Sequence, residues 1–412
     1  MTRENIDPSN NPQLERLKVT KSDFETVSSV ILDTLSYSYE RDYIGYDYFD
    51  GMSSRVLQAL PFDNKWVNIA FQEGIKRFPV NLRPIFLVEQ RQNFKGTALF
   101  VIANCCAYDL TDDDFYKDEA VKLADWLIDN QSDGFDGFCG GHRHEMQQLR
   151  EKRDAEVPNI IPTSFAVKAL LTASRFEQRF EDYALKSVDF VQSELEYREV
   201  ENGAKIKYQP LEDGSYYTLN GGAIGARMFV DLYDHFGDKE YLNKATKLLD
   251  YLTTKQTELG GWMYREPASA SHLSMDNHHN GFIIESYHRY ATVTGSNRYY
   301  DTLETSAEFY KSLLFNLDGS PNWEETSSYP KDIHACAQGI ITFSLLGDHE
   351  FAEKIIDWTI NNLYGGDGEF YYQKRRVYTK RFTLMRWCQA WMAYALSVYH
   401  LTKQNDVEQY YI

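Results

Sequence analysis

The run Asp276-Asn277-His278-His279-Asn280-Gly281 sets two imidazoles beside a carboxylate where an apolar stretch begins. A helix N-terminus lowers imidazole pKa, and neutral imidazole transfers protons near pH 7, so Asp276, His278 and His279 are candidate catalytic residues. The plain alternative is that Asp276 or Asn277 caps the helix while the histidines satisfy backbone groups. A zinc site from Asp276, His278, His279, His334 and Cys336 is a further alternative, but their spacing is no regular ligand pattern, and no metal is expected. Near the N-terminus, Tyr46-Asp47-Tyr48-Phe49-Asp50-Gly51 holds two acids, Asp47 and Asp50, among aromatics. Such a pair serves acid/base work, holds sugar hydroxyls or forms an ordinary Asx turn.

Other candidates sit beside glycines. His142 and His144 flank Arg143 in a Gly-rich loop. Trp262, Trp323, Tyr371, Tyr372 and Trp387 supply flat rings of the kind that stack on sugars, with Gln389 two residues beyond Trp387. Arg83 and Arg386 could clamp a carboxylate, or brace loops. Tyr46, Arg83, His142, His144, Trp262, Trp323, Tyr371, Arg386, Trp387 and Gln389 are thus candidate substrate-binding residues. Tyr372 joins the catalytic candidates, as a proton carrier facing a histidine across a sugar ring.

Composition limits the partners. The 412 residues carry 43 Lys plus Arg against 61 Asp plus Glu, a net charge of −18. An acidic field of that size argues against nucleic-acid binding. The five cysteines include adjacent Cys105 and Cys106 and no CxxC pair, which reads as reduced intracellular thiols. The first residues contain no apolar run, and the longest stretch free of Asp, Glu, Lys and Arg, Trp387 to Thr402, is 16 residues, short of the ~20 that span a bilayer. A cytoplasmic protein without a transmembrane segment is expected, with docking on the inner membrane surface left open. No cofactor motif is present.

The elements that must position these residues recur. An apolar, small-residue helix, a short turn, an amphipathic helix and a Gly-rich loop repeat about six times, with apolar helices starting near Gly96, Thr163, Asn220, His279, Ile333 and Met385. Their spacings are 67, 57, 59, 54 and 52 residues, the size of a supersecondary unit. Helices apolar all round must be buried on all sides, whereas amphipathic ones keep a solvent side. The expected fold is therefore all-α, an (α/α)6 toroid forming one domain over residues 1–412. The N-terminal helix, 22–37, closes the ring against 385–401, and an extra helix lies near 64–77. An open solenoid is the alternative, but solenoids carry polar capping repeats. In the closed ring the long loops share one end, where the unusual clusters would meet.

The phrases YIGYDYFDGMSS, PVNLRPIF followed by NFKGTALF, MDNHHNGFIIES and MRWCQAWMAYAL, in that order from about Tyr43 to His400, resemble the AglQ-like family of haloarchaeal N-glycosylation and bacterial polysaccharide-biosynthesis proteins. The resemblance implies a six-hairpin glycosidase-like toroid acting in assembly of a hexuronic-acid-containing glycan. The expected function is a carbohydrate-active enzyme working by acid/base chemistry on a hexuronic acid or related nucleotide- or lipid-linked sugar, as an epimerase, isomerase or glycoside hydrolase. A non-catalytic glycan-binding module and a zinc-dependent toroid enzyme are the alternatives. The oligomeric state is left open.

Overall fold

The computed structural model describes residues 24–147, 149, 152–405 and 407–412. The apolar repeats form an inner ring: α4 (Phe94–Thr111), α6 (Ile160–Ala173), α8 (Leu219–Phe236), α10 (Asn277–Thr294), α12 (Ile333–Leu345) and α14 (Trp391–Gln404), the last preceded by a π-helical turn, Met385–Ala390. Each inner helix packs on the next, and α14 packs back on α4, so the ring closes. Outside lie α5 (Asp114–Asp129), α7 (Phe180–Asp189), α9 (Lys239–Thr253), α11 (Tyr300–Leu313) and α13 (His349–Leu363), each against the inner helix before it. The expected sixth outer helix starts at Ser22, outside the described residues; α1 is seen over Phe24–Tyr39 and packs on α14 and α4. The architecture is an all-α (α/α)6 toroid. A four-residue α2 (Arg55–Gln58) and α3 (Lys65–Arg77) precede the first inner helix, and the only sheets among the described residues are two- and three-stranded ribbons in the loops.

Local chemistry sets both ends of each hairpin. Asn93, Asn159, Asp276 and Asp332 cap α4, α6, α10 and α12 by accepting first-turn N–H groups. All four caps lie at one pole, with the long loops. At the other pole the turns close on left-handed residues, among them Asp112, Gly237 and Gly295. Every residue of α6 is buried, which is what a helix surrounded by neighbours on all sides requires. All five cysteines are buried and unpaired.

The loop glycines show how the outer layer interlocks. Gly137, Gly203, Gly260, Gly319 and Gly368 all have positive φ, and a Cβ on each would overlap a backbone carbonyl of the following outer helix. For Gly368 that carbonyl belongs to Asp33 of α1, so the last loop locks onto the first helix. Gly368→Ala combines left-handed strain of about 1–2 kcal/mol with that overlap. A loss of at least ~2 kcal/mol in urea unfolding is therefore expected, and an unchanged midpoint would show that α1 does not need this seat.

The inner ring is not wholly apolar. Lys168, Arg227, Asp231, Glu285 and Arg289 are buried on α6, α8 and α10 and paired across the axis. This belt was not anticipated from the uncharged stretches of α4, α12 and α14.

Candidate functional site

The pole that bears the helix caps collects side chains from four inner helices. His278 and His279 stand in the first turn of α10, His334 in that of α12, Lys95 in that of α4, and Arg386 and Trp387 in the π turn before α14. The His278 and His334 rings stack at 4.6 Å, and His334 lies 4.4 Å from Trp387 and 4.3 Å from Trp391. His279 is 4.0 Å from His278 and 4.5 Å from Tyr264. Asp276 holds this group: one oxygen is 2.8 Å from His279 Nδ1 and the other 3.4 Å from His278 Nδ1. Trp323, half-buried on its loop, lies 6.4 Å from His278, and its carbonyl accepts the Asn277 N–H.

A second group meets the first. Arg386 Nε donates to Asp47 at 2.8 Å, Arg386 Nη2 donates to the other oxygen, and Asn93 Nδ2 donates to Asp47 at 2.8 Å. Burial works against the Asp47 carboxylate, but Arg386 outweighs it and holds the carboxyl far below its ordinary value. Tyr48 stacks on Trp387 at 4.2 Å, and Trp387 Nε1 donates to Asp332 at 2.8 Å. His142 and His144 belong to the same charge neighbourhood, each acted on by Asp47 and Arg386.

Burial governs the protonation states. It pushes His278 down to about 3 and His144 to about 4, and pushes His142 and His334 below the ordinary imidazole value. Both nitrogens of His334 are buried with no hydrogen-bond partner among the described residues. Lys95, 5% exposed, has no ion pair or hydrogen bond there either; its ammonium lies 5.0 Å from the Trp391 ring, and burial lowers its pKa well below the ordinary value. The unfolded chain, whose imidazoles titrate near 6.5, therefore binds more protons than the folded one as pH falls from about 6.5 to 4, and stability is lost across that window. His144→Gln should flatten that decline, by on the order of 3 kcal/mol, in thermal unfolding followed against pH. An unchanged slope would show that His144 is charged in the fold.

Several predicted residues lie outside the cluster. Asp50 is buried under Arg83, with Nε–O distances of 2.7 and 2.8 Å, so each neutralises the other and together they brace the 47–50 turn. Trp262 is a core residue whose Nε1 donates to the Leu252 carbonyl at 2.8 Å. Gln389 clamps the loop after α13, accepting from Phe370 N–H and donating to the Gly368 carbonyl. Tyr371 packs over Gly365. Tyr372 sits beneath Tyr48, and burial lifts its phenol well above the ordinary value. Tyr46 is half-buried beside Arg83, and its carbonyl accepts the Met385 N–H. Cys336 turns away from the pole toward Thr359 of α13, so the five-residue zinc set does not assemble; Asp276, His278 and His279 alone bring donors within 4.8 Å of one another.

Lys95 escaped the sequence reading, although it is the only charge between Phe94 and Tyr108. An open concavity of about 280 Å³ lies on the outer flank, lined by residues such as Lys117, Asp125 and Glu177. It joins none of these groups.

No protein-family profile and no curated protein sequence matches the chain. Solved structures do. A cellobiose 2-epimerase from Bacillus thermoamylovorans superposes with a TM-score of 0.59 at 15% identity, over 76% of this chain and 88% of that one. The chain shares that fold. An unsaturated glucuronyl hydrolase specific for heparin gives 0.61 at 13% identity, over 93% and 98%, and a D-mannose isomerase 0.58 at 14%, over 74% and 86%. At such identities the likeness concerns the fold alone. No helix among the described residues is long and apolar enough to cross a membrane.

Proposed function

We propose that the chain is a carbohydrate-active enzyme that moves a proton at a sugar carbon next to a carbonyl or carboxyl group, as an epimerase or isomerase. One observation carries the reading: imidazoles dominate the pole, while its buried carboxylates are engaged. Asp47 is tied to Arg386 and Asn93, Asp276 to the two histidines, and Asp332 to Trp387 and Gln373. Hydrolysis by two carboxyls needs a pair free to act, whereas Asp47, Asp50 and Asp276 are each held by cations or imidazoles. Proton transfer at carbon needs neutral bases held close together, and cations near the enolate oxygen. His278, His279 and His334 are placed for the first role, Arg386 and Lys95 for the second. His334 thus takes the part first given to Tyr372. The shared fold of solved sugar epimerases and isomerases supports this reading.

The unpaired Lys95 favours an anionic sugar, and with the AglQ-like resemblance it supports a hexuronic acid in assembly of an N-glycan or surface polysaccharide. A hydrolytic reading keeps one observation. Glu324 is half-buried, its backbone bridges to that of Asp276, and burial raises its carboxyl, as a general acid requires. Incubating the chain with a uronate-containing glycan in D2O separates the two. Deuterium at the carbon beside the carboxyl without cleavage is expected; release of reducing ends would favour hydrolysis, and neither change would leave a glycan-binding module.

A further inference from the structure

We propose that the pole bearing the candidate site docks on an anionic lipid surface through an apolar and basic apron built from α3, the loop after it and the 373–380 hairpin. The charge distribution is the first observation. In a chain of net charge −18, residues 370–405 contain no Asp or Glu and seven Lys or Arg. Arg376 and Arg381, on and beside the hairpin, have no carboxylate partner among the described residues, and Arg375, beside them, acts on the buried Asp332 carboxylate. Between them the tip residue Val377 is 87% exposed.

Exposed apolar surface on the neighbouring insertion is the second. Trp66, Ala70, Gly74 and Phe78 recur at four-residue spacing down α3 and are all exposed, while Asn68, Gln72 and Ile75 face inward. Phe71, beside that stripe, packs edge-on against Phe86 at 5.0 Å, and Phe86 lies between the exposed Ile85 and Leu87. Contiguous exposed apolar surface of this kind marks an interaction site. Lys380 Nζ donates to the Lys76 carbonyl at 2.7 Å, which joins hairpin and helix into one face. That face adjoins the candidate site, because Lys76 Nζ lies 4.9 Å from the Tyr48 ring and Tyr48 stacks on Trp387.

The mixture of side chains selects the occupant. An acidic glycan would use the arginines but has no use for Val377, Ile85 and Leu87. A second copy in a two-fold dimer would bring two basic aprons together. Anionic headgroups with acyl chains beneath them satisfy both the cations and the apolar tips. The inference does not depend on the reaction at the site.

The test is sedimentation of the full chain with vesicles of equal parts phosphatidylglycerol and phosphatidylcholine, against vesicles of phosphatidylcholine alone. Binding to the first and not the second is expected. Arg375→Glu with Arg376→Glu and Arg381→Glu should weaken it at least about tenfold, and Val377→Asp severalfold, with circular dichroism unchanged. Absence of sedimentation with the anionic vesicles, equal binding by the charge-reversed chain, or a solution dimer that Trp66→Glu dissociates would each overturn the proposal.

Discussion

His334→Leu is expected to lower the rate of proton exchange on a uronate-containing glycan by about 10²–10⁴-fold, the usual worth of a positioned acid or base. The same change should leave unfolding free energy unaltered or raise it by ~1 kcal/mol. Both follow from one fact: the imidazole is buried with neither nitrogen hydrogen-bonded among the described residues. A buried polar group without a partner costs about 1–3 kcal/mol, so a residue kept for packing alone would be better apolar. Leucine of similar volume removes the unsatisfied nitrogens while keeping contact with Trp391 and Phe282. His278→Gln should match the loss of rate, because His278 forms the other half of the stack. Retained exchange in both variants, with stability down by more than ~2 kcal/mol, would assign the pair to the core and remove the basis of the proposed chemistry.

The ring was legible in the sequence because burial on all sides leaves a mark that composition records. Stretches such as Thr97 to Tyr108 or Ile333 to Leu346 hold no ionised residue, and their spacing is that of a helical hairpin. Asp276, His278 and His279 were legible for a related reason, since polar residues opening an apolar helix must cap it or face what lies beyond its end. The loop residues were harder. Tyr371 and Tyr372 point to opposite sides of a short extended segment, and nothing in their order shows that one covers a glycine while the other lies under Tyr48. Asp47 and Asp50 looked equivalent, yet each is neutralised by a different arginine from a distant part of the chain. Trp262 and Gln389 failed in the same way, because a side chain beside a glycine can brace a loop as readily as line a cup. The buried charges of α6, α8 and α10 were missed because they are one or two ionised residues in otherwise apolar helices, and their pairing between helices appears only in three dimensions.

Those charges lead to the second large effect. Glu285→Ala should cost about 3–5 kcal/mol, the range found when one partner of a buried ion pair is removed. The Glu285 carboxylate receives Arg227 Nη1 and lies 3.4 Å from Lys168 Nζ, with Gln338 Nε2 at 3.5 Å from its second oxygen. Burial alone would raise its pKa, but Arg227 and Lys168 outweigh burial and keep it ionised. Lys168 is itself lowered to about 8 by burial, so its charge is the weaker member of the set. With Glu285 gone, Arg227 keeps only Asp231, 4.0 Å away, and Lys168 only the Tyr394 hydroxyl, 3.0 Å away. Glu285→Met combined with Lys168→Met should therefore recover part of the loss, since an apolar pair of similar volume can replace a buried ion pair. Urea unfolding of the single and double variants measures that coupling. Glu285 lies seven residues, or roughly 10 Å, along α10 from His278, so turnover of the fraction still folded should be near normal. A single variant as stable as the parent would show that water reaches the axis and that the belt does not hold the ring together.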